Sequence, residues 1–324
     1  ALLGAAVMMI SALAGCGKNT KVVLTAGLKK NEVFRISSAS CMLPEVMVYL
    51  TNMQNQYESV YGSQIWNASD GQLSLEQEER EQVLTQLARI KVMNLLAQKK
   101  EVTLDDKEKE RAAAAGREYF TSLNSAEVSA LNVTQDLITK MYEEYALAEK
   151  VYQTIVENVN PEVSDDEART ITVDRIRVSD SAKASQVLGK AKEEGVDFET
   201  LAQAESEDQT VTQSFGKGEV SEALEKAAFN LGKDEISDVV ESDGSYYILK
   251  CISTFDEAQT KANKEKIVKQ RQSEAFDTEY TAFEQTLVRQ LNEELWNSVT
   301  MIHQDDVKTS SFFEVYQMYF QHQE

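Results

Sequence analysis

The hydrophobic period of this chain changes near its middle. From Pro44 to about residue 163, and again from Asp256 onward, apolar residues recur at three- and four-residue spacing, as helices with one buried stripe require. Between those stretches, from Thr170 to Val178, the sequence reads T-I-T-V-D-R-I-R-V, β-branched and alternating, as a strand requires. Helical layers with one small mixed segment between them give an α+β fold. The 324 residues include only 13 Gly and 2 Pro, which leaves little room for a loop-rich β architecture, while 42% hydrophobic content suffices for real cores. The length allows about two domains.

Val22-Val23-Leu24 and Val33-Phe34-Arg35-Ile36 read as short strands. From Pro44 the spacing of Val46, Tyr49, Leu50, Met53 and Tyr57 predicts a helix. Ser74-Leu75-Glu76-Gln77 is a capping box that starts a second, Thr103-Leu104-Asp105-Asp106 opens a third, and Thr134 precedes a fourth that ends at Asn160-Pro161. In the mixed segment, helices are expected over 181–194, 198–205 and 221–231. Strands are expected over 236–241 and 245–253, joined by a turn at Ser242-Asp243-Gly244. A long charged helix is predicted from Asp256 to about Trp296. The chain closes on a stripe with Phe312, Tyr316, Tyr319 and Phe320 on one face. That stripe is expected to dock as core, with a homodimer surface as the other reading. Met47, Tyr49, Met53 and Tyr57, with Tyr61, Ile65 and Trp66, are likewise expected to be core, the alternative being a promiscuous binding surface.

The net charge is -21, from 54 acidic and 33 basic residues, a field that repels phosphate backbones and argues against nucleic-acid binding. His303 and His322 are the two histidines, and no Cys, His or carboxylate cluster has metal-ligand spacing. There is no Gly-rich phosphate loop and no G-x-S-x-G. No cofactor or metal is therefore expected. Cys41 and Cys251 are expected to be free thiols, with a disulfide as the alternative.

Residues 2 to 16, LLGAAVMMISALAGC, form an apolar run too short to span a membrane. Its form is that of a secretory leader. The ending Leu13-Ala14-Gly15-Cys16 resembles the lipobox of bacterial lipoproteins, in which the Cys thiol takes a diacylglycerol and becomes the mature N-terminus. Two acyl chains give stable anchoring. The resemblance implies lipidation of Cys16 and an extracytoplasmic protein anchored to the outer face of the bacterial cytoplasmic membrane. An ordinary leader with an incidental Cys16 is the alternative. A charged n-region is missing ahead of Ala1, so the sequence is expected to be a fragment at that end.

Ordered stretches between about 165 and 254 resemble the parvulin type of peptidyl-prolyl isomerase. They are Asp197-Phe198-Glu199-Thr200-Leu201-Ala202, Ser206-Glu207-Asp208, Phe215-Gly216-Lys217-Gly218-Glu219-Val220, Glu225-Lys226-Ala227-Ala228-Phe229-Asn230-Leu231, Glu235 to Val240 and Tyr246 to Lys250. Together with the lipobox and the flanking helices, the chain is similar to the PrsA/SurA type of extracytoplasmic foldase. The resemblance implies a leader over 1–16, an N-terminal helical chaperone-like lobe over 17–163, a parvulin-like module over 164–254, and C-terminal helices over 255–324 that pack back on the N-terminal lobe. The implied partners are unfolded secreted polypeptides and their X-Pro segments.

An X-Pro amide rotates over a barrier of about 18–20 kcal/mol without any covalent bond breaking. A catalyst needs an apolar pocket that grips the proline ring and polar groups that steer the carbonyl. By resemblance, Phe229, Val220 and Phe215 form the apolar wall. The two histidines that parvulins carry on their central strands fall at Arg175 and Tyr247, and the family's acidic or Cys member has no aligned counterpart. Either Arg175 and Tyr247 take over the polar role, with weak isomerase activity, or the module keeps only a groove for extended peptide. A non-catalytic peptide-, solute-binding or adhesion lipoprotein is the other function class.

Overall fold

The structure, a computed structural model, describes residues 27–68 and 74–321. The expected leader over 1–16, Cys16, the expected strand at Val22-Val23-Leu24 and His322 lie outside those residues. The described chain forms two compact units, one of residues up to Asn158 together with Ala275 onward, the other of Val159–Glu274. The fold is α+β, as the periodicity predicts. No helix among the described residues is long and apolar enough to cross a membrane.

The first unit begins with a hairpin of β1 (Glu32–Ile36) and β2 (Ala39–Met42), followed by α1 (Leu43–Tyr61), α2 (Leu75–Lys99), α3 (Asp106–Ser122), α4 (Ser125–Leu131) and α5 (Gln135–Val156). The helix starts are written in the sequence. Ser74 Oγ accepts from Gln77 N while the Gln77 side chain accepts from Ser74 N, and Asp105 with Glu108 and Asn124 with Glu127 repeat the arrangement. A residue larger than glycine has no space at Gly116, where a Cβ would lie 2.3 Å from Thr139 Oγ1 and 2.9 Å from Thr139 Cα. That close approach sets α3 against α5. Inside the unit, Lys91 Nζ lies 2.5 Å from Glu45 Oε2 and 2.6 Å from Glu144 Oε2, so one buried ammonium joins α1, α2 and α5. Burial opposes that charge, but the attraction of Glu45 and Glu144 outweighs it and holds the Lys91 pKa above its ordinary value.

The second unit contains α6 (Asp165–Ala168), β3 (Thr170–Val178), α7 (Ser181–Ala191), α8 (Phe198–Glu205), β4 (Thr212–Gly216), α9 (Glu222–Phe229), β5 (Val240–Ser242), β6 (Ser245–Ser253) and the first part of α10 (Glu257–Glu284). Its antiparallel sheet has the order β4-β3-β6-β5. Asp243 and Gly244 both have positive φ, 51° and 73°, which is what a two-residue turn between β5 and β6 requires. Two differences from the sequence reading stand out. The stretch expected as a strand over 236–241 joins the ladder only at Val240, with a single bridge from Ile236 to Lys250, because the Ser237 hydroxyl takes the Leu249 N–H at 2.9 Å. Conversely, Thr212–Gly216, where no strand was expected, pairs along β3 as an edge strand.

The start of α10 is part of this unit. Thr170 N donates to Thr260 Oγ1 at 3.2 Å, Asn263 Nδ2 donates to Ala168 O at 3.0 Å, and Arg271 Nη1 donates to the carbonyls of Asn160 and Glu162 at 3.3 and 2.9 Å. The second unit therefore extends beyond the 164–254 module read from the sequence.

The remainder of the chain rejoins the first unit. The single helix predicted from Asp256 to Trp296 is instead α10 ending at Glu284, a strand β7 (Arg289–Leu291) and a short helix α11 (Glu293–Asn297). β7 pairs antiparallel with β1, Phe34 opposite Leu291, and satisfies main-chain groups that β1 would otherwise leave open. The last helix, α12 (Phe312–Phe320), docks as core. Phe312 is fully buried, stacks on Tyr142 at 4.4 Å, and meets Tyr49 and Tyr119 at 5.3 and 5.2 Å. Tyr49 is buried with it, while Tyr61 at the far end of that stripe is 57% exposed. Cys41 and Cys251 are free and buried.

Candidate functional site

The residues read from the sequence as site candidates gather on one face of the second unit's sheet. Side chains alternate along a strand, and residues directly opposite one another share a face. Ile176 and Val178 on β3, with Ile248 on β6, point to one side and pack with Ala184, Val187 and Phe198 of α7 and α8. Ile171, Val173, Arg175 and Arg177 therefore point to the other side, where α9 lies. On that side Arg175 faces Leu249 across the ladder and Arg177 faces Tyr247.

The apolar half of the face is a cluster of Ile171, Val173, Phe215, Leu224, Ala228 and Leu249, against which Val220, Phe229 and Tyr247 pack in part. Within it Phe215 is 4% exposed and meets Phe229 edge-on at 6.2 Å. Phe215 thus backs the wall, whereas Phe229 and Val220 are half-buried and form its surface. Two cations lie over the Phe229 ring: Arg169 is 4.8 Å and Lys217 6.0 Å from its centroid. Asp166 in turn holds Lys217 at 2.8 Å.

The polar half is organised by Asp208, a residue whose role the sequence did not disclose. One oxygen lies 2.9 Å from Arg175 Nη2 and the other 2.5 Å from Arg177 Nε. The side chains of Arg175, Arg177 and Asp208 are 26%, 28% and 18% exposed. The segment carrying Asp208 is fixed to β3 by main-chain bonds, Glu207 N to Arg177 O and Arg175 N to Val211 O, both 2.8 Å, and Ser206 Oγ accepts from Arg177 N at 3.1 Å. Hydrogen bonding to Asp208, then its charge, raises the Arg177 pKa. The main-chain N–H of Ser179 holds the neighbouring Glu207 carboxyl below its usual range despite some desolvation. At the turn beyond β4, Glu219 is lowered by its bonds from Lys266 and from Gly216 N.

Two arginines bridged by one carboxylate can donate hydrogen bonds to a peptide carbonyl but do not exchange protons near neutral pH. The Tyr247 phenol lies on the same face, beside Arg177. The arrangement thus supplies donors and an apolar wall, without a proton-transfer pair. Among the described residues no group of three or more Cys, His, Asp or Glu is disposed to hold a metal ion. The signal that could have identified Asp208 was present in Ser206-Glu207-Asp208; what was missing was its register against β3.

Parts of the chain are similar to known proteins. Residues 142–265 match the family of the PPIC-type PPIase domain. The foldase protein PrsA of Streptococcus pneumoniae (strain Hungary19A-6) is 30% identical over 165 residues, which cover 45% of this chain and 53% of that protein. The chain thus aligns with about half the length of the curated relatives it matches. Among solved structures, PrsA from Streptococcus pneumoniae str. Canada MDR_19A is 22% identical, with TM-score 0.28, covering 78% of this chain and 98% of that one. PrsA from Bacillus cereus is 18% identical, with TM-score 0.39, covering 75% and 91%. Residues 142–265 thus correspond to a PPIC-type PPIase domain, and the chain is similar to PrsA over about half of that protein's length.

Proposed function

We propose that this PrsA-like chain is an extracytoplasmic protein-folding factor that binds unfolded secreted polypeptides and receives their X-Pro segments on the α9 face of its parvulin-type module. In this reading Phe229 and Val220 hold the proline ring, Phe215 supports them from below, and Arg175 and Tyr247 orient the preceding carbonyl. The helical unit, residues up to Asn158 and from Ala275 onward, takes the chaperone role. Lipidation of Cys16 ties the protein to the outer face of the cytoplasmic membrane, a reading supported by the sequence of residues 13–16.

The observation that carries the proposal is the division of one sheet face into an aromatic wall and a polar end. Isomerisation is weak or lost, because Arg175 is already engaged by Asp208 and no imidazole is available. A catalyst that works by desolvating the imide and holding its twisted form needs no proton transfer, so a residual rate is compatible with this geometry.

The deciding experiment is a proline-isomerisation assay on the chain from Gly17, with Phe229→Ala and Tyr247→Phe beside it, together with suppression of aggregation of an unrelated unfolded protein. Acceleration lost in Phe229→Ala establishes a remodelled parvulin site. Suppression without acceleration establishes a peptide-binding module. Neither effect from a folded sample rejects the foldase reading in favour of another binding or adhesion role.

A further inference from the structure

The first helix carries a polar stripe inside the first unit. Thr51, Gln54, Asn55 and Glu58 fall at i, i+3, i+4 and i+7, so they share one face of α1. Thr51, Gln54 and Asn55 are 2%, 1% and 4% exposed. What covers much of this face is an irregular segment, residues 299–311, which leads into α12.

Most of the polar contacts run from side chain to main chain. Gln54 Nε2 donates to Ile302 O at 3.0 Å, and Gln54 Oε1 accepts from Ile302 N at 3.1 Å. Asn55 Nδ2 donates to Thr309 O at 3.0 Å, and Glu127 Oε1 accepts from Lys308 N and Thr309 N at 2.9 and 2.7 Å. Asn52 Oδ1 accepts from Phe312 N at 2.9 Å. Main-chain groups are the same in every residue but proline, so this row reads a backbone rather than a sequence. The resident segment also leaves the row incomplete. Thr51 Oγ1 and Asn55 Oδ1 are buried without a hydrogen-bond partner, whereas buried polar atoms are normally paired.

We infer that this face of α1 is a docking groove for an extended segment of unfolded polypeptide, and that residues 302–312 occupy it in cis and yield to such a segment. The inference rests on the proposal that the chain binds unfolded polypeptides, and it assigns that binding to the helical unit. An incoming segment has to reproduce only main-chain hydrogen bonds and an apolar anchor in place of Val307, which is 1% exposed. A groove of that kind suits clients without a common sequence.

The test uses the full chain and a permanently unfolded probe, reduced and carboxymethylated lactalbumin. Binding is read by fluorescence anisotropy and main-chain exposure by hydrogen–deuterium exchange. With the probe bound, exchange over residues 302–312 is expected to accelerate about tenfold or more while α5 is unchanged. Val307→Ala weakens the occupant and leaves the row intact, so it is expected to bind the probe about five- to tenfold more tightly, since more of the groove is open. Probe binding with exchange over 302–312 unchanged overturns the inference and leaves the client-binding proposal standing. Absence of binding by the folded chain overturns both. The exchange measurement on the unaltered chain decides by itself if Val307→Ala folds poorly.

Discussion

The guanidinium carbon of Arg169 lies 4.8 Å from the centroid of the Phe229 ring, so the side chain expected to grip proline has a cation over one of its faces. Arg169 Nη2 also donates to Phe229 O at 3.4 Å, which ties the cation to the end of α9. Arg169→Gln removes the cation–π contact, worth about 0.5–1 kcal/mol at a partly exposed site. A loss of that size is expected in urea denaturation, together with tighter binding of an X-Pro peptide because the ring face opens. Peptide titration that shows weaker binding would instead make Arg169 part of the peptide contact.

Asp208 is ion-paired to both Arg175 and Arg177, and Glu207 lies a further 3.7 Å from Arg177 Nη1. In Asp208→Asn the two guanidinium groups lose their shared counter-charge and repel one another. The expected loss is about 1–2 kcal/mol, the range of a hydrogen bond to a charged group discounted for partial exposure. Added salt is expected to recover part of it by screening the repulsion. Denaturation at low and high ionic strength gives the answer, and equal losses at both would mean that Asp208 acts through packing alone.

Lys91 is 2% exposed and ion-paired to both Glu45 and Glu144. Lys91→Met leaves Glu45 buried without a counter-charge and is expected to cost about 3–5 kcal/mol. The double variant Lys91→Met with Glu45→Leu removes both buried charges and is expected to be the more stable of the two. If the double variant is the less stable, the ion pairs contribute net stability beyond charge compensation.

Glu32 is held at about 2, well below its ordinary 4.5, chiefly by hydrogen bonds from Arg35. Its folded-state value is depressed, so the stability it contributes is complete above about pH 4.5 and is lost as pH falls toward 2. Glu79 and Glu149 are raised by burial and act in the opposite sense, favouring the folded state as they take up protons. Urea denaturation of the natural chain and of Glu32→Gln is expected to show a gap that narrows between about pH 5 and pH 2.5. A gap that stays constant over that range would show that Glu32 acts through hydrogen bonding independent of its charge.

Much of the fold was legible because its causes are local. The strands Thr170–Val178 and Ser245–Ser253 and the helix Phe198–Glu205 coincide with their sequence patterns, and the caps at Ser74 and Thr134 start the helices they were expected to start, while the helix expected to open at Thr103–Asp106 takes Asp105 as its cap. Phe229 and Val220 belong to short recognisable stretches, and the structure packs both against the cluster that holds Phe215. The misread elements depend on partners remote in sequence. Nothing near Arg289–Leu291 says strand; the open edge of β1, some 250 residues earlier, makes it one. Val240 to Ser242 kept only three residues of ladder because Ser237 diverted a neighbouring N–H.

The sequence by itself determined the period of each segment, the caps and turns, and the absence of imidazole from the module, because these follow from residue type and spacing within a few positions. Only the tertiary structure decided that Asp208 reaches both Arg175 and Arg177, and that Phe312 stacks on Tyr142 rather than facing solvent. It also laid residues 299–311 along the polar stripe of α1. Each of those contacts joins residues that chain order keeps far apart, and its energy comes from burying charged, aromatic or main-chain groups together, which no local pattern encodes.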